Sequence, residues 1–118
     1  MEKVEHIGIA VKSLSVSVPL FEKLLNTGCY KTGDTNIELL ENADEEGVIS
    51  KFIHKKGEGI HHIAFEVADI RKEMDRLKAE GFILLNESPR KGADNKLVCF
   101  LHPGSTNAVL IELCQSIQ

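Results

Sequence analysis

His6-Ile7-Gly8-Ile9-Ala10-Val11-Lys12-Ser13-Leu14 and His62-Ile63-Ala64-Phe65-Glu66-Val67-Ala68-Asp69-Ile70 follow one pattern: an imidazole, an alternating strand and a polar stop. Each copy runs on into a helical stretch. Each half of the chain then finishes on a strand holding one glutamate, Asn36-Ile37-Glu38-Leu39-Leu40 and Leu110-Ile111-Glu112-Leu113-Cys114. In the first copy Ile7, Ile9 and Val11 alternate with His6, Gly8 and Ala10, which is the period of two that a half-buried strand requires. His6 therefore shares its face with small residues, and space is left beside the ring. Two similar units packed about a pseudo-twofold axis would bring equivalent strands, and with them two histidines and two glutamates, to one place.

The segments around these strands read coherently. Ser13 or Ser15 caps a first helix whose apolar stripe is Val18, Leu20, Phe21, Leu24 and Leu25, with Pro19 in its first turn and Asn26-Thr27-Gly28 at its end. Thr32-Gly33-Asp34-Thr35 reads as a turn before the strand of Glu38. Residues 42–47 are polar and acidic, and 48–54 form a short helix with Val48, Ile49, Phe52 and Ile53 inward. Lys55-Lys56-Gly57-Glu58-Gly59 links the halves. A strand over 60–67 follows, then a helix over 70–80 capped by Asp69, burying Ile70, Met74 and Leu77 and closed by Gly81. Strands over 82–85, 97–101 and 109–114, with a loop over 89–95, complete a βαβββ unit. The expected organisation is one domain, 1–118, of two repeats: an incomplete first unit, 1–54, and a full second unit, 60–118. His6 and His62 are offset by 56 residues but Glu38 and Glu112 by 74, so the first unit is 18 residues shorter. The gap falls between Leu25 and Thr35 and corresponds to one or two strands.

A chain of 118 residues with 42% hydrophobic and 27% charged residues has the composition of a globular domain, and no apolar run approaches the ~18 residues of a membrane span. The charged Met1-Glu2-Lys3-Val4-Glu5 is unlike a signal peptide, so a cytoplasmic location is expected. A net charge of −4 argues against nucleic acid, which needs a concentrated basic face; Arg71-Lys72 and Arg90-Lys91 offer only local anion contacts. Cys29, Cys99 and Cys114 form no CxxC pair, and two lie in apolar strands, so buried free thiols are expected there.

Imidazole nitrogens and carboxylate oxygens together suit middle-row divalent ions such as Zn, Mn, Fe, Co or Ni. Two neutral histidines, two carboxylates and a divalent cation sum to zero, so such a site can be buried without residual charge. Glu112 lies in the apolar run Val109-Leu110-Ile111-Glu112-Leu113-Cys114, where an unpaired carboxylate is costly. Strand alternation turns His61 away from His62. His54 and His102 have no counterpart in the repeat and read as structural or surface residues. No cysteine has an evident histidine partner, and Gly57-Glu58-Gly59 precedes a strand, so no dinucleotide loop is expected.

The chain resembles the vicinal oxygen chelate superfamily (the glyoxalase fold) and, within it, the methylmalonyl-CoA epimerases. The likeness runs through His6-Ile7-Gly8-Ile9-Ala10-Val11, Thr35-Asn36-Ile37-Glu38-Leu39-Leu40-Glu41, Gly57-Glu58-Gly59-Ile60-His61-His62-Ile63-Ala64-Phe65, Phe100-Leu101-His102-Pro103 and Val109-Leu110-Ile111-Glu112-Leu113. The resemblance implies an α+β fold of paired βαβββ units, the first shortened here. It implies a divalent metal, cobalt foremost with Zn, Ni or Mn as substitutes, held by His6, Glu38, His62 and Glu112. It also implies an acyl-CoA substrate, a homodimer, and epimerisation at C2 of methylmalonyl-CoA through a metal-stabilised enolate, with Glu112 as one catalytic base. The family's second glutamate base lies on a strand between the positions of Tyr30 and Asn36, and that strand is missing here. Gly104 stands where relatives usually carry Lys, and Ala108 where they usually carry Gly. Alternatives are a glyoxalase I-like lactoylglutathione lyase with the same ligand set, and a non-catalytic small-ligand or metal-binding member of the fold. An extradiol dioxygenase fits less well, because four protein ligands leave little room for catechol and dioxygen together.

Overall fold

The computed structural model describes every residue except 27, 43, 45 and 118. The expected helix end at Asn26-Thr27-Gly28 therefore has Thr27, and the polar segment 42–47 has two of its positions, outside the described residues. The chain divides into two compact units, residues 6–61 and residues 1–5 with 62–118. Among the described residues, three helices and seven strands make it an α+β protein.

The unit of residues 6–61 holds most of β1 (Lys3–Ala10), then α1 (Leu14–Leu25), β2 (Lys31–Thr32), β3 (Thr35–Leu40) and α2 (Val48–Lys56). β1 pairs with β3 in parallel and β2 with β3 antiparallel, through a turn at Gly33 with φ of 60°. Among the described residues only the two-residue β2 stands between α1 and β3, in keeping with the shortening read from the sequence. Ser13 is the N-cap of α1 without a side-chain cap bond. Instead the Leu14 N–H donates to Glu41 Oε1 at 2.8 Å, a carboxylate at the positive end of the helix dipole. The helix thus starts at Leu14, and Pro19 falls in the second turn rather than the first. The expected stripe is also corrected: Ser17 is buried and Val18, Phe21 and Leu25 are half-buried, while Leu20 and Leu24 are exposed. Leu20 and Leu24 continue an i, i+4 line from exposed Val16 on the outward side of a helix packed on β3.

Asn42 caps α2, its Oδ1 accepting from the Ile49 N–H at 2.6 Å and the Ser50 N–H at 3.3 Å. A Cβ at Gly47 would lie 2.5 Å from that same oxygen, so the close approach requires glycine. Ile49, Phe52 and Ile53 are half-buried as expected, but Val48, in the first turn, is exposed.

In the other unit, β4 (Gly59–Glu66) leads to α3 (Ile70–Ala79), β5 (Arg90–Gly92), β6 (Lys96–Leu101), a 3-10 turn (Pro103–Ser105) and β7 (Ile111–Ser116). The sheet order is β4-β7-β6-β5, parallel at β4/β7 and antiparallel thereafter. Ile70, Met74 and Leu77 of α3 pack with Val67, Cys99, Leu101 and Leu113 as the core of this unit. Asp69 Oδ1 accepts from the Lys72 N–H, and Gln115 of β7 accepts from the Ile70 N–H at 2.7 Å, tying the helix start to the sheet. At its end the Gly81 N–H bonds Lys78 O and the Phe82 N–H bonds Leu77 O, the paired bonds of a Schellman motif with Gly81 at φ of 97°.

Two expectations fail here. The strand over 82–85 is reduced to a bridge between Leu84 and Leu101. The Phe82 N–H is used by the helix end and the Phe100 N–H bonds Asn86 Oδ1, so the ladder stops. The loop over 89–95 instead contains β5, turned back by Asp94 and Asn95 at φ of 58° and 55°, a conformation these residue types tolerate. The unit is still βαβββ.

Ala108 has φ of 68°, a conformation that favours glycine, since a Cβ in this region costs ~1 kcal/mol or more. Ala108→Gly should therefore raise stability by roughly 0.5–1 kcal/mol and the melting temperature by a few degrees; a lowered melting temperature would contradict this. Cys99 and Cys114 are buried, and no disulfide joins the three cysteines. Burial pushes the Cys114 thiol up to about 12, nearby carboxylates adding to the effect and Lys96 opposing it. Iodoacetamide at pH 7.5 should alkylate exposed Cys29 in the native protein, and Cys99 and Cys114 only after denaturation, as read by peptide mass spectrometry. Labelling of native Cys114 at a rate comparable with Cys29 would refute the assignment.

Candidate metal centre

In the unit of residues 6–61, parallel pairing sets Gly8 of β1 opposite Glu38 of β3. His6 lies two residues before Gly8 on the same face, and its Nδ1 stands 3.5 Å from Glu38 Oε2. The His6 side chain is buried, whereas that of Glu38 keeps 39% of its surface exposed. Gly8 and Ala10, both buried, give the imidazole its room, as the alternation of small residues predicts.

The other unit repeats the arrangement. Ala64 of β4 sits opposite Glu112 of β7 in the same parallel sense. His62, again two residues ahead of the small residue, has Nε2 3.3 Å from Glu112 Oε1. Both side chains are about nine-tenths buried. The sequence pattern thus becomes a local rule obeyed twice: a parallel pair, a small residue facing the glutamate, and a histidine one side-chain step earlier.

Both separations exceed a good hydrogen bond, 2.7–3.2 Å. Two donors each about 2.1 Å from one cation stand roughly 3.0 Å apart at a right angle and roughly 3.4 Å apart at the tetrahedral angle. The pairs therefore have both the spacing and the donor types that fit a divalent ion.

His61 faces away from this site, as strand alternation requires. It meets Phe52 edge-on at 5.0 Å between ring centroids, and burial lowers its pKa. His102 Nδ1 accepts from the Gly104 N–H at 2.8 Å, a structural role in which a side chain at 104 would crowd the ring. His54 is exposed. Two neighbours went unread in the sequence. Phe100 packs edge-on against His62, centroids 6.2 Å apart, and strand parity from Glu112 through the β6/β7 ladder could have placed it there. Lys96 Nζ is 3.1 Å from buried Glu5 Oε2. Burial alone would lower the pKa of Lys96, but the bond and charge of Glu5, with Cys114 and Glu66, raise it. No local pattern signals that pair.

Comparison with known proteins shows the family. The family model described as Glyoxalase/Bleomycin resistance protein/Dioxygenase superfamily matches residues 27–100. The protein YqjC of Bacillus subtilis is 32% identical, over 98% of this chain and 93% of its own length. The ethylmalonyl-CoA/methylmalonyl-CoA epimerase of Cereibacter sphaeroides is 35% identical, over 96% of this chain and 97% of its own. Both alignments extend over 130 positions although this chain has 118 residues, so at least 12 positions of each alignment have no counterpart here. The methylmalonyl-CoA epimerase of Streptomyces coelicolor, solved with 2-nitronate-propionyl-CoA, superposes with a TM-score of 0.89 and 28% identity, covering 100% of this chain and 99% of that one. The chain belongs to the glyoxalase/bleomycin resistance/dioxygenase superfamily, and among its relatives there are the methylmalonyl-CoA epimerases.

Proposed function

We propose that this protein is a methylmalonyl-CoA epimerase in which His6, Glu38, His62 and Glu112 hold one divalent cation, cobalt foremost. The reading extends to a single domain of two repeats, acting as a homodimer in the cytoplasm. The observation that carries it is the twofold recurrence of one histidine–glutamate geometry in a chain 35% identical to an acyl-CoA epimerase.

The reaction moves one proton. A C–H beside a thioester is a weak acid, and the proton must leave one face of C2 and return on the other. A divalent cation supplies Lewis-acid stabilisation of the charge that develops on the thioester oxygen. Glu112 is the base on one face: its carboxylate, 3.3 Å from His62 Nε2, takes the proton there, and inversion requires a second acid to deliver a proton to the opposite face of C2. Burial of both side chains keeps water from competing for that proton. The half-exposed carboxylate of Glu38 is the ligand most open to exchange with solvent.

A second reading has its own support. Among the described residues only the two-residue β2, which holds no glutamate, lies between α1 and β3 where the resembling family carries its second base, and at least 12 aligned positions have no counterpart here. A member of the fold that binds metal and ligand without turnover fits that shortening.

Reconstitution with Co separates the readings. The epimerase exchanges the C2 proton of methylmalonyl-CoA in deuterated water, stops on complete chelation and recovers on Co addition. Glu112→Gln should lower the exchange rate by about 10²-fold or more. Tight Co binding with no exchange on the acyl-CoA would overturn epimerisation in favour of the non-catalytic reading, and turnover of a glutathione hemithioacetal instead would identify a glyoxalase I-like lyase.

A further inference from the structure

The face of the β4-β7-β6-β5 sheet that bears Glu112 can be followed outward by register. Phe100 lies opposite Glu112, Val98 opposite Cys114, and Arg90 opposite Val98. The edge-on packing of Phe100 against His62 fixes which face this is. The reverse face carries Cys99, Leu101 and Leu113, fully buried beneath α3. Val98 and Phe100 are apolar yet only partly buried on this face. Gly92 continues the same face, and a Cβ there would come within 2.9 Å of Val98 Cγ1. The Val98 side chain therefore covers Gly92 at the sheet edge.

Two cations share this face. Lys96 is neutralised by Glu5 at 3.1 Å. Arg90, exposed on the edge strand, has no carboxylate partner among the described residues. From the spacing of strands and of residues along them, its Cα lies roughly 12 Å from that of Glu112, two strands across and two residues along.

We infer that Arg90 is a specificity-determining residue for the acyl-CoA: the pantetheine arm crosses Phe100 and Val98, and the guanidinium grips the coenzyme's diphosphate. The inference rests on the acyl-CoA reading of the Glu112 site. An apolar track that starts at a metal-ligating pair and ends at an uncompensated cation matches a ligand that is polar at the thioester, plain along its arm and anionic beyond. Arginine suits the task, since its planar fork takes two phosphate oxygens at once. Lys91 is the internal control: it pairs with Leu97 and so lies on the opposite face.

Binding rather than turnover tests this, so an inactive enzyme does not obscure the result. Calorimetric titration of the Co-loaded protein with coenzyme A and with pantetheine should show tighter binding of coenzyme A. Arg90→Ala should weaken coenzyme A about tenfold or more and leave pantetheine unchanged, Arg90→Lys should fall between, and Lys91→Ala should match the wild type. Equal binding of the two ligands by the wild type would overturn the inference. So would coenzyme A binding unchanged in Arg90→Ala, equal losses for both ligands, or an equal effect of Lys91→Ala. Loss of coenzyme A preference in Arg90→Ala without proton exchange in the wild type would keep the inference and reject epimerisation.

Discussion

A glutamate opposite a small residue in a parallel strand pair, with a histidine two residues before that small residue, is the constraint on which the rest depends. Parallel register aims side chains at paired positions to the same side, and the small residue removes the bulk that would hold an imidazole away from the carboxylate. Gly8 and Ala64 do this for Glu38 and Glu112. The two pairs close to 3.5 and 3.3 Å, although the loops between them differ in length. Insertions or deletions outside β1/β3 and β4/β7 leave the geometry intact, because only the ladders determine it. The shortened region between α1 and β3 is accordingly compatible with an intact His6–Glu38 pair.

The two pairs differ in surroundings. Glu112 is held in a strand whose neighbours are apolar, with Phe100 against its histidine, and is nearly sealed from water. Glu38 is considerably more open. A carboxylate sealed beside an imidazole suits proton transfer, and a more open one suits ligation that adjusts as a substrate enters. The largely buried Lys96–Glu5 pair lies on the same sheet side as Glu112 and removes one positive charge from it. The field on that side is then set by the metal ligands at one end and by Arg90 at the edge.

Much of this was legible in the sequence, and what was not has identifiable causes. His6, Gly8, Glu38 and their counterparts could be read because strand parity and a repeat are both periodic signals. His61 facing Phe52 and His62 facing Glu112 follow from the same parity. The strand over 82–85 was lost because side-chain and helix-end bonds took the N–H groups that a ladder needs, and hydropathy does not report those. β5 was hidden by its charged, glycine-containing sequence, and only Asp94-Asn95 marks the turn. Leu20, Leu24 and Val48 read as core because the apolar positions of a helix cover more than the arc its neighbours bury. The Glu5–Lys96 contact joins residues far apart in sequence, and nothing local encodes it.

Metal stoichiometry tests the central claim most directly. If both histidine–glutamate pairs serve one cation, native mass spectrometry of the Co-loaded protein should find a single ion per chain, and His6→Ala and His62→Ala should each remove it. Two ions per chain, lost one at a time by the two substitutions, would show that the pairs act separately and would contradict the account.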